Sequence, residues 1–424
     1  MTDSPRDSSR DSSRPTAADS STLLLCGARL TDGRIVDVRL SGPRIEAVGT
    51  AGSLTAPGGR PGDGARIDLR GYLLLPAPAE PHAHLDLALT AGADGPPSPE
   101  PSDVQRRATE AALLQLGHGA TAVRSHVRIG DVQGLRALEA VLQARRALRG
   151  LVELHTVAVP RVLTGAAGAD GLAMLRDALK MGASVVGGCP DLDPDPSGYA
   201  EAVLTLAGEF GLPVDLHTSA GDPARLARLA AMAGGLRPGV TIGPCHGLGS
   251  LPQDAAGRAA DQLAAAGVSV VALPQGGCGG VESVRRGAAD LLTPVRLLRA
   301  AGVRVTAGSG AMGDLANPVG RGDPLEAAFL LASYGECGPV EAYETVSGQA
   351  RAVLGLPEVR VEAGFPAELL AVRGERVEGV LSLAYSRIVV HRGRVVSRTS
   401  AVREYCDSES EAALDLPRQS HRQA

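Results

Sequence analysis

Two histidines, His82 and His84, stand two residues apart a little past the apolar run 73–75. On an extended backbone, residues i and i+2 project to the same side. Both imidazoles can therefore face one point at the end of a buried strand. Neutral imidazole suits zinc and iron. A divalent ion so held lowers the pKa of its water enough for hydrolysis near neutral pH. A lone His-x-His is common, so its weight comes from its company. His126, His217 and His246 each close a short aliphatic or β-branched run. Taken singly, each also reads as a buried histidine satisfied by a backbone carbonyl. Their joint placement at strand ends favours one shared site. His155 lies inside such a run and His118 in a Gly-His-Gly turn; both read as structural.

The elements that must position these side chains form an alternation. Candidate strands at 72–76, 120–126, 152–159, 184–188, 213–217, 240–246, 268–273 and 303–308 are separated by Ala-, Leu- and Arg-rich stretches such as 104–115, 135–148, 199–210, 223–232 and 289–300. Such an alternation predicts an α/β chain with a (β/α)8 TIM barrel, whose C-terminal strand ends meet at one mouth. Outside it, short strands and turns fill 22–69. A matching set of strands is expected at 369–372, 379–386 and 387–397, with a hairpin turn at His391-Arg-Gly-Arg. The two sets predict a small β-sandwich domain built from both chain ends. The organisation expected is a disordered tail at 1–21, a composite sandwich at 22–70 and 356–403, a barrel at 71–355 and a polar tail at 404–424. The first tail carries an Arg-Asp-Ser-Ser repeat without apolar residues, a composition that cannot bury a core.

Composition narrows the partners. With 42 basic and 47 acidic residues the net charge is −5, which gives no general attraction to nucleic acid or an anionic membrane. Trp is absent and aromatics are 2%, against base-stacking platforms. The six Cys are scattered with no Cys-x-x-Cys pair, which fits a reducing compartment and points to the cytoplasm. No apolar run is long enough, at about 18 residues, for a membrane helix. The expected partner is a small molecule, with a homo-oligomer left open. Lys180, the single lysine, falls in a helical stretch, a poor place for a metal-bridging lysine at a strand end.

Glu-Pro-His-Ala-His-Leu-Asp at 80–86 resembles the metal motif of the amidohydrolase superfamily, in its cytosine deaminase-like branch. Val-Arg-Ser-His at 123–126, Val-Ala-Val-Pro at 157–160, Ser-Val-Val-Gly-Gly-Cys-Pro-Asp at 184–191, Val-Asp-Leu-His at 214–217, Cys245-His246 and Asn-Pro-Val-Gly-Arg-Gly-Asp at 317–323 follow in the family's order. The resemblance covers roughly 25–400. It implies a barrel beside a small sandwich. It also implies one divalent metal, iron or zinc, held by His82, His84, His217 and an Asp after strand eight. A Glu three residues after the strand-five His would shuttle the proton, and His246 would orient the attacking hydroxide. Asp314 matches a further Asp of the family's loop, at the substrate.

Three positions depart from that pattern. Ala220 stands where the resemblance calls for the Glu, and Gly310 where it calls for the metal Asp. Arg161 stands where true cytosine deaminases carry a Gln that reads the pyrimidine edge. An Arg there could pair with a carboxylate or phosphate, or face solvent at the barrel mouth. Three histidines can hold zinc without a carboxylate, so metal binding can survive, weakened, or be lost. Loss of an acid–base group typically removes about 10²–10⁴-fold of rate. Asp191, Asp193, Asp222 and Asp314 are candidates to substitute, with Asp222 equally readable as the N-cap before Pro223. Three alternatives follow. One is a metal-dependent hydrolase of non-peptide C–N bonds in cyclic amines or amidines, of reduced or altered activity. Another is a catalytically silent paralogue that binds a ligand or partner. The last is a barrel using its histidines as acid and base without metal.

Overall fold

The structure is a computed structural model and describes residues 22–54, 65–92, 95–130, 133–276 and 292–401. The tails expected at 1–21 and 404–424, together with Cys278 and Cys406, lie outside the described residues. No described helix is long and apolar enough to cross a membrane.

Strands β1 (Thr22–Arg29), β2 (Ile35–Ser41), β3 (Arg44–Thr50), β4 (Ala65–Asp68) and β5 (Tyr72–Pro76) open the chain. They join β14 (Leu369–Arg373), β15 (Arg387–His391) and β16 (Arg394–Thr399) from its other end. All belong to one eight-stranded sheet of order β16-β15-β14-β5-β1-β2-β3, with β4 on β1. It curls about its own apolar core of Leu25, Val38, Leu40, Ile45, Leu74 and Leu369, the small sandwich that both chain ends build.

The second sheet is parallel and runs in chain order. Its strands are β6 (Ala79–Ala83), β7 (Ala122–Ile129), β8 (Glu153–Pro160), β9 (Val185–Gly188), β10 (Val214–Thr218), β11 (Val240–Pro244), β12 (Ser269–Ala272) and β13 (Val305–Ala307). Between them run α1 (Pro101–Gly117), α2 (Arg136–Ala147), α3 (Gly168–Met181), α4 (Pro196–Phe210), α5 (Pro223–Ala233), α6 (Gln253–Ala265) and α7 (Val295–Ala300). After β13 come α8 (Pro324–Ser333), α9 (Pro339–Val346), α10 (Gly348–Val353) and α11 (Val377–Leu383). This is the expected (β/α)8 barrel. Helix starts follow sequence chemistry: Asp222 accepts from the Ala224 and Arg225 amides at the N-cap of α5, leaving fewer first-turn donors without partners.

The barrel closes between β6 and the end of β13. The Gly310 amide donates to the His82 carbonyl at 3.1 Å. The buried Glu80 carboxylate accepts from the Ser309 amide at 3.0 Å and its hydroxyl at 2.6 Å. It also accepts from the His82 amide at 3.0 Å. One carboxylate thus ties the first strand to the last.

Two elements differ from the sequence expectation. The run 72–76 was expected as the first barrel strand, but β5 pairs with β14 through five residues and belongs to the terminal sheet. The barrel's first strand is Ala-Glu-Pro-His-Ala, without a β-branched residue and with a Pro inside it. Local strand preference could not find it; closure by Glu80 and burial of all five residues hold it. The stretch 379–386 was expected as a strand, but 377–383 is α11. Val377, Val380 and Leu381 are its buried residues, at i, i+3 and i+4, the helical period that outweighs their strand preference.

Candidate metal centre

The polar residues of the barrel interior follow strand alternation. Arg124 and His126 lie on one face of β7, and Asp215 and His217 on one face of β10. His82 is the last residue but one of β6, and His84 directly follows the strand. Ligand atoms of His82, His84 and His217 all lie within 4.8 Å of one another, and all three residues are buried. The ring centroids are 5.3 Å apart for His82 and His84, and 5.5 Å for His82 and His217. These are the three histidines the sequence placed together. His126 joins them: its ring stacks on His82 at 3.8 Å and lies 5.5 Å from His84.

Beneath this cluster sits a buried ion pair. Arg124 Nη1 donates to Asp215 Oδ2 at 2.8 Å, and its Nη2 to the Val353 carbonyl at 2.8 Å. His126 Nε2 lies 3.3 Å from Asp215 Oδ1. Burial alone would raise the Asp215 carboxyl, but His126 and Arg124 outweigh it and hold it below the usual range. Ligand atoms of His82, His126 and Asp215 form a second close group.

Burial, then neighbouring imidazoles, holds His82 and His84 well below the ordinary histidine range. His217 is pushed down to about 3, by burial first and then His126. The rings are therefore neutral, the form that ligates metal. Both ring nitrogens of His82, and Nε2 of His84, are buried without a hydrogen-bond partner. Such groups cost about 1–3 kcal/mol each when left unsatisfied, and a divalent cation would satisfy this donor set. The residues fit the group. Nearby carboxyls are shifted upward by burial, Glu80 to about 7 and Asp86 to about 6.

The remaining expected site residues fall around the mouth. His246 is buried in the turn after β11 and close enough to His217 to lower its pKa. Arg161 is exposed directly after β8. Asp314 is buried in the loop after β13, where its Oδ1 accepts from the Ala316 and Asn317 amides at 2.8 and 3.1 Å. Ala220 has φ +55° and Gly310 φ +69°, and neither offers a polar side chain. A cavity of about 260 Å³ opens beside Ala220, bordered by Asp191, Thr218, Leu226 and Met232.

The four candidate substitute carboxylates are engaged elsewhere. Asp191 accepts from the Ser219 amide at 2.8 Å and the Thr218 hydroxyl at 3.1 Å. Asp193 accepts from the Leu163 and Asp195 amides, both at 2.9 Å. Asp222 caps α5, and Asp314 holds its own turn. Among the described residues, Asp215 is the carboxylate that joins a histidine group. His155 lies 3.3 Å from Glu153, and His118 caps α1, both in structural roles. Sequence reasoning placed His126 among the converging strand-end histidines without giving it a role, and did not assign Glu80, Arg124 or Asp215 to the site. The signal was present in part: 124 and 126, like 215 and 217, share a strand face.

A (β/α)8 barrel with neutral imidazoles gathered at its C-terminal mouth is the layout of a metal-dependent hydrolase. A family model described as amidohydrolase family matches residues 88–397, and the chain belongs to that family. A pterin deaminase from Rhizobium rhizogenes is 26% identical over 392 residues, 84% of this chain and 87% of that protein. The crystal structure of N-isopropylammelide isopropylaminohydrolase from Burkholderia multivorans is similar with a TM-score of 0.77 and 27% identity, covering 90% of this chain and 100% of that one. The 5-methylcytosine deaminase of Klebsiella pneumoniae shares the fold at a TM-score of 0.77 and 23% identity, over 90% of this chain and 100% of that one.

Proposed function

We propose that this chain is a metal-dependent hydrolase of non-peptide C–N bonds, of the deaminase type, acting on small cyclic amines or amidines. The observation that carries the reading is the buried cluster of His82, His84 and His217. A divalent ion, zinc or iron, would supply Lewis acidity there and lower the pKa of water. His82, His84 and His217 offer the donor nitrogens, and His126 and Asp215 brace them from below. His246 holds or moves a proton at the reacting centre. Asp314 fixes the loop that borders the substrate, and Arg161 faces it from the end of β8. The relatives named for pterin deamination and for isopropylaminohydrolase action on N-isopropylammelide support ring-borne nitrogen as the leaving group.

Ala220 leaves the proton shuttle without a carboxylate, so the rate is low or the chemistry altered. That same absence favours a second reading, a catalytically silent relative that keeps the metal and a ligand. Metal analysis after zinc- or iron-supplemented expression tests the first reading. Near-stoichiometric metal that His82→Ala removes is expected; sub-stoichiometric metal in the wild type sinks it. Ammonia release from a panel of cyclic amines then separates the two. Activity in the wild type favours the hydrolase. Activity appearing only in the Ala220→Glu, Gly310→Asp double variant favours the silent relative.

A further inference from the structure

Arg128 is the third residue of a series on one face of β7. Arg124 reaches Asp215 inside the barrel, and His126 stacks on His82 above it. Each two-residue step along a strand rises about 6.6 Å on the same face. Arg128 is therefore one step above the histidine cluster, toward the mouth. Its neighbours Val127 and Ile129 are buried, while Arg128 itself is exposed. On the adjacent strand its register partner is Val159, and Pro160 pairs with Ile129. Arg161 follows directly, so the two arginines stand near the ends of adjacent strands.

Among the described residues no hydrogen bond or ion pair engages the Arg128 guanidinium. Its charge still reaches the site. After burial, it is the largest influence on the buried Asp86 carboxyl, and it acts on His84 and His217. A cation raised over a cluster that would itself hold a cation is unfavourable unless an anion comes between them. A guanidinium in that position presents a planar fork suited to two oxygens of one anionic group.

We infer that Arg128 is the specificity-determining residue of the mouth, and that it selects substrates carrying an anionic oxygen pair, a carboxylate before a phosphate, on the ring held over the histidines. The inference rests on the proposed hydrolase reading for its site, but its readout is binding. It differs from the role of Arg161, which sits beyond the strand end. The planar fork fits a carboxylate edge-on, through both of its oxygens.

The test uses the full chain and isothermal titration with orotate, its uncharged parent uracil, and inorganic phosphate. Orotate is expected to bind at least about 10-fold more tightly than uracil, the scale of one charge-assisted pair. Arg128→Gln is expected to abolish that difference. Arg128→Lys, which keeps charge but not the fork, is expected to restore it in part. Phosphate binding comparable with orotate and lost in Arg128→Gln would reassign the anion to phosphate and overturn the carboxylate preference. Equal binding of orotate and uracil by the wild type, or an orotate advantage that survives in a folded Arg128→Gln protein, overturns the inference. Metal content of the same samples keeps the two readings apart. Full metal with no anion selection sinks the role of Arg128 alone, and absent metal with anion selection intact sinks the hydrolase alone.

Discussion

The strands of the barrel and the loops at its mouth differ. On β6, β7 and β10, the interior holds five interacting polar residues: His82, His126, His217, Arg124 and Asp215. In the loops that follow β10 and β13, the expected acids give way to Ala220 and Gly310, both at positive φ. Gly310 still touches the site, but through its amide on the His82 carbonyl. The nitrogens that could gather a cation are in place, and the two expected carboxylates are not. Donor gathering is fixed by strand alternation inside a packed barrel. Proton transfer depends on side chains at loop positions, which change without disturbing the sheet.

The sharpest way to break this comparison is to remove a donor. His82→Ala and His217→Ala are each expected to lose essentially all bound zinc or iron by metal analysis while staying folded. Retained metal in either would move the centre elsewhere. Next in size is the ion pair beneath. Arg124→Ala leaves a buried Asp215 uncompensated and is expected to cost about 3–5 kcal/mol, read by denaturant unfolding. A cost below about 1 kcal/mol would mean that water already reaches the pair. Glu80→Ala removes the acceptor of the Ser309 and His82 amides and is expected to cost about 1–3 kcal/mol. Hydrogen exchange should show faster opening at β6 and β13 before the rest. The smallest effect belongs to Asp222→Ala, about 1 kcal/mol for a lost N-cap, with metal content unchanged. A fall in metal content there would make Asp222 the substitute carboxylate after all.

Much of the site was legible because it obeys periodicity. The gathering of His82, His84, His126, His217 and His246 follows from residue type, spacing and the rule that barrel strand ends converge, while the choice of His82, His84 and His217 as a metal set comes from the resemblance to the amidohydrolase superfamily. The barrel itself follows from alternating runs, most of which fall within a few residues of β7 to β13. What escaped did so for physical reasons. The five residues of β6 have no strand preference, and only closure against β13 makes them a strand. The run 73–75 is apolar on both faces, and nothing local says which sheet it joins. His126 was readable as a strand end, but its stacking on His82 depends on barrel closure. Asp215 sits two residues before His217, so its facing the interior was available from alternation alone. That it meets Arg124 from β7 was not, since pairing across the barrel is tertiary.

The apolar run that opened the motif has a mechanical consequence. Leu73 and Leu75 belong to the barrel's core, while Leu74 belongs to the sandwich. Leu370 and Val372 of β14, with Val389 of β15, also face the barrel, against Leu369, Ala371, Ile388 and Val390 facing the sandwich. Each strand is a party wall with one side in either room. Neither domain can melt without exposing apolar surface that belongs to the other, so the two should unfold as one cooperative unit. The amides of Leu73, Leu74 and Leu75 should then exchange with solvent only when the whole chain opens.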